Sequence, residues 1–270
     1  MDFICKSPES VLKSLSDWFD CSLSDIKTIL SKDWISEYES VVEQRDKHYY
    51  EYGFDEDDDK IYEDFGIYLL YKGFGDYPIS HKSVNVHWFH GSRVIDPNSF
   101  KNRGILSLTD ILPQINELID SIAQHLGIPI CKNTESSWRN QRIEIKLNSA
   151  IDHGPCAMLM YEASINANAF SCHSYIDEPE IVSDYAIAKY GEAGNEIVAE
   201  FKRISNPVVV EFLEVRDCKE PTAMDEILRA ALTYIYDYIH KEEIGPHDNT
   251  CYSGCGRSVS KDRIIDVIVL

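Results

Sequence analysis

Beyond residue 83 the chain passes repeatedly from strand-like alternation to helical periodicity and back, and it does so without a regular succession of βα units. Val84, Val86 and Trp88 alternate with Asn85, His87 and Phe89; residues 143–147, Ile-Glu-Ile-Lys-Leu, alternate in the same way; residues 208–215 follow Pro207 as a third predicted strand. The run 156–161, bounded by Gly154-Pro155, predicts a short buried strand, and residues 264–270 predict a last one that needs cover on both faces. Between them lie helical stripes. Asp110 is placed to cap a helix with Pro113 in its first turn, the stripe Ile111, Ile115, Leu118, Ile119, Ile122 and Leu126, and Gly127 at its end. Thr222-Ala223-Met224-Asp225 is close to a capping box and opens a helix that turns Ile227, Leu228, Ala231, Tyr234, Ile235 and Tyr238 inward. This irregular mixture predicts the α+β class and argues against a doubly wound parallel sheet.

The first 80 residues have a different texture. Ser7-Pro8-Glu9 supplies a cap, a first-turn proline and an acidic first turn, and Val11, Leu12, Leu15, Trp18 and Phe19 recur at helical spacing. Ser24-Asp25 opens a second helix through Ile26, Ile29 and Leu30; polar, aromatic-rich sequence then runs to Tyr50. The acidic run 55–59 is a solvated loop on this view, since it lacks the Gly and terminal Glu of a calcium-binding loop. Residues 1–80 hold 8 basic and 19 acidic side chains, so they carry −11 of the formal net charge of −20. The expected division is an acidic helical region, 1–80, followed by a second domain, 81–270.

With 44% hydrophobic residues the chain is neither disordered nor a rod. No window approaches the roughly 18 apolar residues of a membrane span, and eight scattered cysteines follow no secreted scaffold; a soluble cytoplasmic protein with reduced thiols is expected. The net charge argues against general binding to nucleic acid or anionic membrane. Locally the balance reverses: residues 81–108 contain Lys82, Arg93, Lys101 and Arg103 against Asp96 alone.

That basic stretch holds the most informative motif, His90-Gly91-Ser92-Arg93 at the end of a predicted strand, followed by Gly104-Ile105-Leu106. An imidazole, a glycine open to close approach, a hydroxyl and a guanidinium at one sheet edge suit a polar, phosphorylated ligand. The segment resembles the first block of the ADP-ribosyltransferase superfamily, particularly its poly(ADP-ribose) polymerase-like branch. Tyr161-Glu162-Ala163-Ser164 and Ala167-Asn168-Ala169-Phe170 resemble the second block, with Gly154-Pro155 on its approach. The resemblance spans roughly residue 84 onward and implies a split β-sheet core of that superfamily with NAD as substrate. It implies that His90 orients the adenosine ribose, that the residues after it, from Gly91, hold the nicotinamide amide through backbone groups, that Ser92 and Arg93 help hold ribose and pyrophosphate, and that Tyr161 stacks on nicotinamide.

The family's third element is a carboxylate that stabilises the cationic ribose as nicotinamide leaves, a charge pattern shared with glycosidic cleavage. Glu178-Pro179-Glu180-Ile181-Val182 resembles the Glu-x-Glu and apolar strand of the toxin branch, which makes Glu180 catalytic and Glu178 its assistant. Glu242 and Glu243 suit the order of the polymerase-like branch, and Glu211 and Glu214 on a predicted strand are further candidates. The competing interpretation of Glu178-Pro179-Glu180 is an acidic helix start.

The expected activity is transfer of ADP-ribose from NAD to a macromolecular acceptor, protein or nucleic acid, as in toxins and phage-defence effectors, where a neutralising partner protein is also expected. The alternatives are an inactive module of the same fold that binds a partner, and an NAD hydrolase. His240, His247, Cys251 and Cys255 offer two nitrogens and two thiols to zinc, at spacings unlike the usual knuckles, so no metal is assigned. No Gly-x-Ser-x-Gly elbow, Walker A loop or dinucleotide fingerprint occurs, and His153 and Cys156 lie too close in sequence for a recognisable dyad.

Overall fold

The computed structural model of the protein describes residues 1–52, 64–75, 83–131, 138–148, 154–219 and 221–270. The acidic run 55–59 and His153 lie outside them. In chain order the elements are β1 (Asp2–Phe3), α1 (Pro8–Phe19), α2 (Leu23–Leu30), α3 (Trp34–Tyr52), α4 (Phe65–Tyr68), β2 (Ser83–Val94), α5 (Asn98–Arg103), α6 (Leu108–Leu126), α7 (Trp138–Asn148), β3 (Cys156–Met158), α8 (Tyr161–Ile165), α9 (Glu180–Tyr190), α10 (Gly194–Ile204), β4 (Asn206–Asp217), α11 (Asp225–His240), β5 (Cys251–Ser253) and β6 (Ile264–Val269). The class is α+β. Among the described residues no helix is long and apolar enough to cross a membrane.

The described strands form one sheet in the order β5-β3-β2-β4-β6, and β1 pairs in parallel with β2 at Asp2↔Asn85 and Phe3↔Val86. Its spine is the antiparallel β2–β4 pair, in register along their whole length from Ser83↔Asp217 to Val94↔Asn206. β3 meets β2 at Phe89↔Met158, so the Ser92–Val94 end of β2 has no strand on that edge among the described residues. The cavity described below lies along this half-open end.

Several elements follow the sequence expectation and several depart from it. α1 starts as expected, with the Ser7 hydroxyl accepting the Ser10 N–H and Pro8 in its first turn. The cap of α6 is Ser107, three residues before Asp110, and Pro113 falls inside the helix. β2 carries His90-Gly91-Ser92-Arg93 at its end, as expected, and runs to Val94 because β4 supplies partners throughout. Residues 143–147 are helical, within α7. Ile143 and Leu147, four apart, share a face on which Ile143 is buried, whereas Ile145 is 63% exposed, so an apparent alternation was one turn of a helix. The segment after Glu180 is the helix α9 and not an apolar strand. The polar stretch before Tyr50 is the helix α3. β6 is an edge strand, so Ile265 and Val269 are exposed and the expected cover on both faces is missing.

Two hydrophobic cores result. The larger joins Val84, Val86 and Trp88 of β2 and Val208, Val210 and Phe212 of β4 to α1, α2 and α11. A single core thus crosses residue 80, where the sequence changes texture, and residues of the acidic N-terminal part are built into it. The smaller core joins Ile119, Ile122 and Ala123 of α6 to Val182 and Ala186 of α9 and to Ile197, Val198 and Phe201 of α10.

Candidate functional site

A cavity of about 540 Å³ lies between the two cores. From the larger core side it is lined by His90 to Val94, Phe100, Ile105 and Cys156; from the smaller, by Ile115, Leu118, Ile181, Val182 and Phe201. Lys146, Tyr175 and Glu180 add to the polar part of its wall, as do Asp96, Arg103 and Gln114. The cavity therefore has a polar side along β2 and the start of α9, and an apolar side along α6 and α10, the composition expected of a small-molecule site.

His90 continues the alternation of Val84, Val86 and Trp88, while Phe89 points to the other face. The backbone oxygen of Cys156 lies 2.7 Å from His90 Nδ1, and a carbonyl only accepts, so Nδ1 carries the proton. Burial pushes the imidazole's pKa below its ordinary value, against the opposing pull of that carbonyl. Neutral His90 thus has a lone pair on Nε2, which has no partner among the described residues. The Ser92 hydroxyl likewise makes no hydrogen bond to a described residue. These two groups can take a ligand hydroxyl.

Gly91 and Arg93 serve the protein itself. A Cβ on Gly91 would lie 3.0 Å from the Ser164 carbonyl oxygen and 3.2 Å from Ile176, so the close approach that this glycine permits is by the chain. The Arg93 guanidinium donates to the Ile176, Lys202 and Ser205 carbonyls at 2.8, 2.9 and 3.2 Å and to the Ser205 hydroxyl at 3.2 Å. It clamps the end of α10 and the loop before α9 to the sheet, and the role expected for it in holding pyrophosphate is given up to that clamp. Gly104 has φ +79° and would meet the Val259 carbonyl oxygen at 2.0 Å with any side chain; its absence allows the Ile105↔Val259 bridge beneath the cavity.

Tyr161 is not in the cavity lining. It opens α8, its N–H donates to the Cys5 carbonyl at 2.9 Å, and its ring meets the edge of Phe89 on the opposite face of β2. Tyr175 lines the cavity on its polar side, and Phe100 and Phe201 line it elsewhere. The signal for Tyr175 in the sequence is an aromatic in a polar, non-periodic stretch just before Glu178.

The carboxylates separate clearly. Glu180 opens α9 in the cavity wall, a quarter exposed, with Arg142 at 3.2 Å and Lys146 in direct contact. Burial pushes its carboxyl up, but Lys146, His173 and Arg142 outweigh burial and hold it below the usual carboxylate value. Glu178 points elsewhere, to Lys202 at 3.2 Å. Glu211 is buried in the sheet between His87 at 2.7 Å and Lys6 at 3.0 Å; the His87 hydrogen bond keeps its pKa low against burial, helped by Lys6. Glu214 accepts from Trp88 Nε1 at 2.8 Å and pairs with Arg216. Glu242 and Glu243 are exposed beyond α11. None of these five lines the cavity.

The zinc alternative finds no geometry. His240 stacks on Tyr236 and meets the Leu30 carbonyl, while Cys251 lies 3.5 Å from the Met158 sulfur. Among the described residues no three His, Cys, Asp or Glu side chains gather to hold a metal ion.

Nothing in the sequence singles out Arg142 or Lys146: the expected strand over 143–147 leaves Arg142 outside it, and the pairing with α9 is a tertiary contact. In the helix they are four apart and face Glu180 and Asp184, themselves four apart on α9. No protein-family model matches the chain, and neither a curated protein nor a solved structure matches it.

Proposed function

We propose that the chain is an ADP-ribosyltransferase that cleaves NAD in this cavity and passes ADP-ribose to a macromolecular acceptor, on a split-sheet core of that superfamily. The observation that carries the proposal is that His90, Ser92 and Glu180, distant in sequence, line one cavity of dinucleotide size. The resemblance around His90-Gly91-Ser92-Arg93 and Gly104-Ile105 supports it.

On this proposal His90 Nε2 and the Ser92 hydroxyl hold the adenosine ribose, and Tyr175 takes the stacking place first assigned to Tyr161. Glu180 faces the nicotinamide ribose. The bond from C1′ to the pyridinium nitrogen breaks, its electron pair leaves with neutral nicotinamide, and positive charge develops on the ribose opposite the carboxylate. A nucleophilic atom of the acceptor then bonds to C1′ and gives up its proton. The apolar wall of α6 and α10 keeps water from competing in that step. A cytoplasmic toxin or phage-defence effector, with a neutralising partner, is the setting that such chemistry suits.

One observation favours a second proposal. Glu180 is held by Lys146 and Arg142, and Arg93 is committed to backbone carbonyls, an arrangement suited to a module that keeps the fold and binds a partner without turnover. Incubating the protein with NAD labelled in the adenylate part and with cell lysate, then digesting with protease or with nuclease, separates these. Label that becomes soluble after one digestion and not the other names the acceptor class. Free ADP-ribose alone identifies a hydrolase, and intact NAD in every arm sinks the enzyme proposal in favour of the module.

A further inference from the structure

We infer that Lys146 and Arg142 form a diphosphate-binding subsite of the cavity, and that Glu180 is its internal counter-ion, exchanged when the diphosphate enters. The inference rests on the proposal that the cavity takes a dinucleotide.

Four charged side chains form the arrangement, with His173 Nδ1 3.8 Å from Glu180 Oε1. Arg142 reaches Glu180 Oε1 at 3.2 Å and Asp184 Oδ1 at 3.4 Å; Lys146 touches Glu180 Oε2 and lies 3.7 Å from Asp184 Oδ2. The two carboxylates differ in burial. Asp184 is 1% exposed on the inner side of α9, so displacing the two cations would leave a buried charge less compensated. Glu180, at the first position of α9, has a side chain 25% exposed and lines the cavity. Asp184 thus fixes the cations, and Glu180 is the exchangeable partner.

The donors of the two cations, an ammonium and a planar guanidinium, suit the oxygens of a diphosphate. Two cations face two carboxylates. A ligand diphosphate brings two phosphate charges to Lys146, which lines the cavity at 19% exposure, and to Arg142 beside it, whose planar fork suits phosphate oxygens. Glu180 is then released on the cavity side, where the ribosyl cation forms. The pairing with Lys146 and Arg142 that quenches the carboxylate becomes a device that frees it when a diphosphate takes its place. No bond is made or broken in this step; one anion replaces another at the same cations.

The sign of one substitution distinguishes this from an ordinary salt bridge. Removing the internal anion improves binding of an external one, whereas removing a mere structural contact does not. Inorganic pyrophosphate is titrated calorimetrically into the full-length wild-type protein and into Glu180→Gln, Lys146→Met and Lys146→Arg, each checked for its melting transition. The expected result is measurable binding by wild type, at least threefold tighter binding by Glu180→Gln, at least tenfold weaker binding by Lys146→Met, and retention by Lys146→Arg. Equal or weaker binding by Glu180→Gln, or unchanged binding by Lys146→Met, overturns the inference. Lys146→Arg keeps the test valid if Lys146→Met fails to fold. Pyrophosphate has no glycosidic bond, so the two proposals fail separately. Binding in this pattern without nicotinamide release from NAD defeats the transferase and leaves the subsite; nicotinamide release without this pattern defeats the subsite alone.

Discussion

The two cores of the molecule divide the work unequally. The larger, with Trp88 and Phe212 on the sheet and residues as distant as Phe3 and Ile235, holds the polar wall rigid and contributes His90 and Ser92. The smaller, made by three helices around Phe201 and Ile197, presents an apolar wall and carries Glu180. A ligand in the cavity touches both, so the site is a junction property. The difference teaches that a carboxylate's role follows the core it stands on. Glu211 and Glu180 are both paired with cations, but Glu211 is enclosed by the sheet and serves stability, while Glu180 stands where a ligand can reach it.

The largest expected break is Trp88→Ala in the larger core. Trp88 is fully buried and its loss costs about 4 kcal/mol, read as a lower urea midpoint for the whole molecule, with NAD chemistry lost in the same step. Next come the paired carboxylates. Glu180→Gln lowers nicotinamide release about 100-fold, equivalent to about 2.7 kcal/mol, with a nearly unchanged melt. Glu211→Gln does the reverse: it weakens a buried charged hydrogen bond at a cost of about 2 kcal/mol and leaves the rate per folded molecule unaltered. If the two variants change places in this comparison, the assignment of roles to the cores is wrong. Phe201→Leu in the cavity wall costs about 1 kcal/mol of stability but shifts KM more than kcat, since it reshapes the apolar side without touching the reacting centre.

The smallest effect is a pH dependence. Burial lowers the His90 pKa in the folded protein, so unfolding raises its affinity for protons. That contribution to stability is fully present above the unfolded value of about 6.5 and declines as pH falls below it. Nicotinamide release is expected to hold through neutral pH and fall only below the ordinary histidine range, as His90 becomes a cation and its Nε2 lone pair is lost. A profile that falls at or above that range contradicts the neutral tautomer.

Much of the larger core, and the α6 part of the smaller one, was legible in the sequence. The stripes of α1, α6 and α11 and the β2 and β4 alternations are long enough for one period to win, and the α+β class follows from their order. Five residues at 143–147 were too few, and only the contact with α9 decides them. Lys146 and Arg142 were not legible either, because their partner Glu180 reaches them only through the packing of α7 on α9. His90 and Ser92 were marked by their motif, and Glu180 by the acidic pair around Pro179. Tyr161 was misplaced because a motif carries no information about which face of the sheet its helix covers, and Arg93 because a guanidinium's preference for phosphate is indistinguishable in sequence from its preference for carbonyl oxygens.

The central claim is that one junction cavity cleaves NAD with an imidazole from one core and a carboxylate from the other. Nicotinamide release from NAD, measured with lysate acceptors present for wild type, His90→Ala and Glu180→Gln at equal folded fraction, tests it most directly. The account predicts release by wild type and a loss of about 100-fold or more in each variant. No release by wild type, or the same release by all three proteins, contradicts it.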